Sequence, residues 1–247
     1  MHRFYVDPEQ VQDNKVSIIG SDVNHIKNVL RMNSGDKLII CNGQGKDCYC
    51  IIDRVDDKEI NCNIISELIT DTELNTKITL FQGLPKKDKM ELIIQKAVEL
   101  GVHEIIPVMT KRVIVKLEDK KREEKKLERW QAIAESAAKQ SHRGIIPKIR
   151  PVISYGKALE ECSKMDIALI PYENAEGITR TREIIASLSK YSSVGVVIGP
   201  EGGFEETEIE LALERNTIPI TLGRRILRTE TAGLAVLSMM MLSLEKE

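Results

Sequence analysis

The chain has 247 residues, 42% hydrophobic and 30% charged, apolar enough to bury a core and so neither disordered nor fibrous. A formal net charge of −2 speaks against avid, non-specific binding to a polyanion. The length suits one large domain or two unequal ones, and two is the better reading.

The opening Met1-His2-Arg3-Phe4-Tyr5-Val6-Asp7-Pro8 lacks the apolar stretch and small-residue cleavage site of a secretion signal. The longest apolar run, Leu234 to Leu244, is interrupted by Ser238 and Ser243 and stops short of the ~20 residues a membrane span needs. A cytoplasmic protein without a membrane partner is expected.

Residues 1–70 read as a small β-rich domain. Lys37 to Cys41 and Cys48 to Asp53 are strands, bounded by turn signals at Asn33-Ser34-Gly35-Asp36 and Asn42-Gly43-Gln44-Gly45. A helix is expected from Asp22 to Arg31, capped by Ser21 or Asp22, with Ile26, Val29 and Leu30 on one face. The five cysteines form no C-x-x-C pair, and an odd count argues against a disulfide framework. Cys48, Cys50 and Cys62 with a histidine offer a zinc set in principle, but the alternation Asp47-Cys48-Tyr49-Cys50-Ile51 reads as a strand with one buried face, and no metal is expected. The polar stretch Thr70 to Asn75 looks like a linker, which divides the chain into domains 1–72 and 73–247.

Beyond it, strands alternate with helices. Strands are predicted at 78–81, 105–108, 167–170, 194–198 and 218–222, and helices at 89–100, 121–139, 178–188, 205–215 and 229–244. Pro107 is expected to stop its strand or push it to an edge. The alternation predicts an α/β fold, a parallel sheet covered by helices. Charge is unevenly spread: −3 over residues 1–70, +6 over 71–150 and −5 over 151–247. The densest run, Lys116 to Lys126, mixes both signs at helical spacing, which suits a solvated helix face better than an RNA patch.

Two strands end in glycine-containing loops. Gly199-Pro200-Glu201-Gly202-Gly203 follows a buried-type strand and precedes a helix with Glu205, Glu206 and Glu208 at its start. In an open parallel sheet, ligands bind beyond the carboxyl ends of strands. Such a loop lets backbone approach a flat ligand, or merely closes a tight connection. It lacks the Lys-Ser/Thr of a phosphate loop, and its acidic helix start favours a neutral or cationic ligand. The second loop runs from Gly223 through Arg224-Arg225-Ile226-Leu227-Arg228 to a helix capped by Thr229 or Thr231. Packing does not explain three arginines there; salt bridges to Glu201 or to the acidic 205–210 run are the alternative. A dinucleotide fingerprint is approached only by Gly43-Gln44-Gly45, in a β-rich region with no helix after it.

These two segments, with Arg3-Phe4-Tyr5-Val6, His25-Ile26-Lys27-Asn28-Val29-Leu30-Arg31, Gly35-Asp36, Gln95 to Gly101 and Glu135-x4-Gln140-Ser141-x-Arg143, resemble the RsmE family of SPOUT methyltransferases across nearly the whole chain. That resemblance implies a PUA-like β-barrel over 1–72 and a SPOUT domain over 73–247 whose C-terminus is threaded as a trefoil knot, a feature general topology rules disfavour. It implies S-adenosyl-L-methionine as cofactor, held by Ile170, Gly199, Pro200, Glu201, Gly202, Gly203, Leu222, Gly223, Ile226, Leu227, Arg228 and Thr231, with Pro171, Tyr172 and Glu173 as a further wall. It also implies a homodimer, to which the Met-rich stretch Ser238 to Leu242 contributes unless it is plain core. Where many relatives carry glycine after Gln-Ser, this chain has His142.

The implied reaction is methylation of N3 of an unpaired uridine in 16S ribosomal RNA of the small subunit. The N3 proton must leave, so a cation near the forming anion is required; Arg228 is the first candidate, then Arg225 and Arg143. Glu230 or Glu201 is the proton acceptor, although a carboxylate beside arginines is a weak base. Arg3, Lys27, Arg31 and Arg143 are the expected RNA contacts, against a background of ordinary surface charge. A SPOUT enzyme acting on transfer RNA or a ribose hydroxyl, a non-catalytic RNA-binding or ribosome-assembly protein, and a nucleotide-dependent enzyme are the rival readings.

Overall fold

A computed structural model describes residues 1–86, 88–113, 120–175 and 177–245. Part of the mixed-sign charge run, residues 116–119, lies outside the described residues. The chain divides into two compact units, Met1–Glu73 with Ala138–Ile146, and Leu74–Ala137 with Pro147–Glu247.

The first unit is built on a long hairpin. Strands Arg3–Tyr5 (β1), Val11–Gln12 (β2), Lys15–Ile19 (β3), Lys37–Cys41 (β4), Lys46–Val55 (β5) and Glu59–Ile69 (β6) form one sheet in the order β1-β4-β5-β6-β3-β2, antiparallel except for β1 on β4. Register shifts between Tyr49 and Cys50 and between Ile52 and Arg54 bend the β5–β6 hairpin, as bulges do. The sheet is an open half-barrel, with β1 and β2 as its edges. Cys48, Cys50 and Ile52 are the buried face of β5 and pack with Ile18, Leu38, Ile40, Ile60 and Cys62. Burial pushes the Cys50 and Cys62 thiols up to about 12, so they stay protonated core residues.

The expected helix over 22–31 is a single α-turn, Ser21–Asn24 (α1), followed by a π-helical turn His25–Val29. The wider turn, closed by Leu30 N–H on His25 C=O, shifts the spacing. Ile26 is therefore fully buried while Val29 is 61% exposed, not on the buried face.

The return of 138–146 to the first unit was not legible as a contiguous domain. Tyr5 hydroxyl donates to the carbonyls of Ala138 and Arg143, and Gly45 N–H donates to Gly144 C=O at 2.9 Å. Glu73, read as linker, is the anchor: its carboxylate takes two bonds from Arg143 and one each from the N–H groups of Gly144 and Ile145. A Cβ on Gly144 would lie 2.6 Å from Thr70, so only glycine fits. His142 sits at φ +56°, the left-handed region that glycine enters without strain.

In the second unit the strands are Lys77–Gly83 (β7), Glu104–Met109 (β8), Lys148–Ile149 (β9), Ile153–Ser154 (β10), Ile167–Pro171 (β11), Ser193–Ile198 (β12) and Ile218–Ile220 (β13). All pairs are parallel, in the order β10-β8-β7-β12-β11-β13 with β9 beside β8. The helices are Lys89–Glu99 (α2), Lys120–Gln140 (α3), Tyr155–Cys162 (α4), Ile178–Ala186 (α5), Glu206–Glu214 (α6) and Thr229–Leu244 (α7). Tyr155 and Leu159 of α4, Ile209 of α6 and Phe204 just before α6 are buried against Phe81, Ile106, Ile170 and Val197. Among the described residues no helix is long and apolar enough to cross a membrane.

One expectation is corrected here, and one element was not foreseen. Pro107 lies inside the sheet, opposite Gln82 of β7. Val108 C=O faces β7, accepting from Leu84, and Ile105 C=O faces outward, accepting from Arg150. The Pro107 nitrogen therefore points outward, at the gap between β9 and β10, where no ladder bond is lost. Helix α4, not foreseen, is a short amphipathic turn pair whose start is capped by Ser154 accepting from Lys157 N–H.

Candidate functional site

The carboxyl ends of the adjacent strands β12, β11 and β13 release three loops that enclose a cavity of about 460 Å3, within the range of small-molecule sites. Gly199 to Gly203, Leu222, Gly223 and Arg225 to Arg228 all line it. Ile170 does not: it is fully buried in the core, and the wall begins one residue later at Pro171, Tyr172 and Glu173. Thr231 does not either; Thr229 and Ala232, on neighbouring turns of α7, take that position.

Each glycine of the first loop has its own reason. A Cβ on Gly199 would come within 3.1 Å of the Phe204 ring, and one on Gly202 within 3.1 Å of the Arg112 side chain, whose guanidinium donates to Gly202 C=O at 2.8 Å. Gly203 has φ +68°, and no atom outside its chain neighbours stands where its Cβ would be. The loop closes as a turn, Gly203 N–H on Pro200 C=O, before α6. There Glu205 and Glu208 form a reciprocal capping box.

The second loop departs from expectation at the start of α7. Neither Thr229 nor Thr231 caps the helix; the N-cap is Arg228, with no side-chain cap bond. Thr229 is instead buried, accepts from Gln82 Nε2 at 2.9 Å and donates to Gly199 C=O at 2.5 Å.

Lys89, at the start of α2, organises the charge. Its ammonium lies 3.2 Å from Glu201 and 3.1 Å from Glu230, and it also lines the cavity. Burial alone would raise the Glu201 carboxyl, but hydrogen bonds from backbone N–H groups, Lys86 among them, and from Lys89 hold it below the ordinary carboxylate value. The Lys89 ammonium is held above its ordinary value, chiefly by Glu230. The two carboxylates named as proton acceptors are thus both ion-paired, and Glu230 is not among the lining residues.

The arginines follow the other course. Arg224, Arg225 and Arg228 are exposed, and no acidic side chain among the described residues pairs with them; Glu201 is taken by Lys89 and Glu205 by Lys111 at 3.2 Å. The neighbouring helix α5 adds Arg180 and Arg182, also exposed, on either side of Thr181, whose hydroxyl accepts from Thr221 N–H. Five of the six arginines in residues 151–247 therefore sit on two adjoining elements, in a stretch whose net charge is −5. Ile226, between them, is 85% exposed.

In the first unit, two of the four expected RNA contacts are structural. The Arg3 side chain is 7% exposed, forks onto Asp47 at 2.8 and 3.0 Å and donates to Tyr5 hydroxyl and Arg143 C=O. Arg143 is 3% exposed and bound to Glu73, which removes it from both the RNA-contact and the catalytic set. Lys27 is half-buried and paired with Asp57, and Arg31 is exposed at φ +54°.

Lys89, Gln82 and Phe204 were not found from the sequence, whereas Pro171, Tyr172 and Glu173 line the cavity as expected. The signal for Lys89 was its place: Leu84-Pro85-Lys86-Lys87-Asp88-Lys89 leaves the carboxyl end of β7, next to β12.

Comparison with known proteins matches a family model described as an RNA methyltransferase domain to residues 72–241, and an RNA methyltransferase PUA domain to residues 18–65. Ribosomal RNA small subunit methyltransferase E of Bacillus subtilis is 41% identical over 244 residues, covering 96% of this chain and 95% of its own. The protein of that name from Mesomycoplasma hyopneumoniae is 36% identical over 238 residues, covering 96% and 98%. A crystal structure of ribosomal RNA small subunit methyltransferase E from Neisseria gonorrhoeae, bound to S-adenosyl methionine, superposes with a TM-score of 0.80 at 35% identity, covering 97% and 96% of the two chains. With a family model over most of its length and full-length relatives above 30% identity, the chain belongs to the ribosomal RNA small subunit methyltransferase E family, an RNA methyltransferase domain joined to a PUA domain.

Proposed function

We propose that this chain binds S-adenosyl-L-methionine in the cavity between the β11, β12 and β13 loops and methylates N3 of an unpaired uridine in 16S ribosomal RNA of the small subunit. The observation that carries the proposal is the pairing of a glycine-walled cavity at the strand ends with two exposed arginines on its rim, Arg225 and Arg228, that no acidic side chain among the described residues pairs.

The residues fit the cofactor. Open backbone at Gly203 and Gly223 admits a flat ring, Glu173 suits a cation, and the arginines suit a carboxylate. When bound, the cofactor supplies a methyl group on a sulfonium, which leaves its electron pair on sulfur as N3 forms the new bond. The protein's share is to make N3 anionic and hold it in line. Arg228, with Arg225 beside it, stabilises the negative charge that forms as the N3 proton departs; each unit by which that acidity is raised lowers the barrier by about 1.4 kcal/mol. Glu201, held ionised by Lys89 and backbone N–H groups, is a weak acceptor, so the proton leaves to solvent and the rate rises with pH until uridine itself ionises.

The remaining features belong to the same reading. The first unit, 1–73 with 138–146, acts as an RNA-binding domain through Lys27 and Arg31, and the second, 74–137 with 147–247, as the transfer domain. RNA backbone follows Arg180, Arg182, Arg224 and Arg225 toward the cavity. The enzyme is a cytoplasmic homodimer whose apolar contacts include Ile226 and Leu242, 85% and 79% exposed in the single chain. The C-terminal chain is threaded as a trefoil knot, supported by β13 lying beyond β11 while α7 packs back on α2.

The test is to incubate purified protein with labelled cofactor and small subunits lacking the modification, then identify the methylated nucleoside by mass spectrometry. Label on uridine N3 is expected; label elsewhere, or none, rejects the proposal.

A further inference from the structure

We infer that Gln82 is a positioning residue for the cofactor, acting through Thr229 on the Gly199–Pro200 peptide; this rests on the cofactor reading above. Gln82 is completely buried near the end of β7, following the buried Ile78, Thr79, Leu80 and Phe81. A buried amide is costly unless bonded, and leucine or methionine would fill the same space without that cost. Its Nε2 spends both protons, one on Gly83 C=O at 2.9 Å and one on Thr229 Oγ1 at 2.9 Å. With its lone pair so engaged, the Thr229 hydroxyl directs its own proton to Gly199 C=O at 2.5 Å. The chain of bonds is directional: amide to hydroxyl to carbonyl.

Those three bonds join three segments, the end of β7, the first turn of α7 and the loop after β12, and both Thr229 and Gly199 line the cavity. The same peptide lies close to Gly83, where a Cβ would be 2.8 Å from Pro200 N and 3.0 Å from Gly199 C, so the residue there must be glycine. Pro200 has no N–H to turn elsewhere. The peptide thus has Gly83 close by and is bonded by Thr229, and through Thr229 Gln82 sets the direction in which Glu201, Gly202 and Gly203 leave it.

Two locally unfavourable choices meet at this point. Gln82 Oε1 is buried without a hydrogen-bond partner among the described residues. Gly233, in the interior of α7 where alanine would favour the helix, has Oε1 3.6 Å from the place of its missing Cβ. A core selected for packing alone would avoid both, which is the pattern of a site kept for function.

The test uses the full-length protein with Gln82→Met, Thr229→Val, Thr229→Ser and the double variant Gln82→Met/Thr229→Val. Cofactor affinity is read by calorimetry, the two substrates by steady-state kinetics, and the 199–203 amides by hydrogen exchange without cofactor. Gln82→Met and Thr229→Val should each weaken cofactor binding about five- to tenfold, as loss of one hydrogen bond does, with KM for RNA unchanged. Thr229→Ser, which keeps the hydroxyl, should stay within about twofold, the double variant should be no worse than a single one, and the 199–203 amides should exchange faster in Thr229→Val. Unchanged affinity in the single variants, additive losses, or equal damage from Thr229→Ser would overturn the inference. Should Gln82→Met not fold, the comparison of Thr229→Val with Thr229→Ser and the exchange data decide it. Failure of the unaltered protein to bind the cofactor would instead reject the function on which the inference stands.

Discussion

Arg143 forks onto Glu73 through Nε at 3.0 Å and Nη2 at 2.6 Å, with the arginine side chain 3% and the glutamate 17% exposed. The pair ties residues 138–146 to the segment that follows β6, across 70 positions of sequence. Breaking one partner of a buried pair leaves the other uncompensated, which costs about 3–5 kcal/mol. Glu73→Gln and Arg143→Met should each lower the urea midpoint accordingly, and loss of RNA methylation should track loss of folded protein. An Arg143→Met protein that is as stable as the parent but defective on RNA would return this residue to the substrate contacts.

His142→Gly should stabilise the protein. His142 is exposed at φ +56°, and its carbonyl accepts from Thr72 Oγ1 at 3.0 Å, a bond that glycine keeps. Relief of the left-handed strain is worth about 1 kcal/mol, less the entropy glycine gains when unfolded, leaving a net gain of roughly 0.5 kcal/mol. A denaturant titration that finds the variant less stable would show that the imidazole makes a contribution the backbone geometry does not reveal.

The two halves of the chain differed in how much their sequences disclose. In residues 73–247 the strands are apolar runs and α2 repeats its buried residues at 90, 93, 94 and 97, so periodicity marks nearly every element. The six-stranded sheet is harder to read: β2 is two residues, β1 is three, and the π-turn at His25 breaks the 3.6-residue spacing that would identify a helix. Glu73 and Arg143 were misjudged for one reason: a charged residue looks like surface until the partner that allows its burial is known, and that partner is far along the chain. The cavity loops were legible because glycine and arginine clusters at strand ends have few structural explanations. Gln82 and Lys89 were not, since a lone amide in a strand and a lysine in a basic run have many.

Lys89 and Glu201 make the cavity wall sensitive to pH at both extremes. Glu201 is held below its ordinary 4.5, so its contribution to stability is complete above that pH and is lost as the pH falls through the lowered value. Lys89 is held above its ordinary 10.5, so its contribution is complete below that pH and is lost as the pH rises through the raised value. The difference in Tm between the parent and Glu201→Gln should therefore be constant from about pH 6 to 9 and shrink in acid below 4.5. A difference that grows on acidification would mean that the carboxyl is raised, not lowered, in the folded state.

Arg228 and the pair Arg180 and Arg182 should separate chemistry from RNA attraction, because only the first lines the cavity. A cation beside the forming uridine anion acts mainly in the transition state, as an oxyanion donor does, and its removal costs on the order of 100-fold in rate. Arg228→Ala should thus lower kcat by about that factor while RNA affinity changes little. Phosphate contacts act by releasing counterions, and each one lost reduces the slope of log affinity against log salt by about 0.7 for single-stranded RNA. Arg180→Ala/Arg182→Ala should flatten that slope by about 1.4 and raise KM for the ribosomal substrate at physiological salt, leaving kcat at saturation near the parent value. The opposite partition, with kcat falling in the α5 variant and the salt slope in Arg228→Ala, would mean that RNA enters from the other side of the cavity and that α5 faces the reacting base.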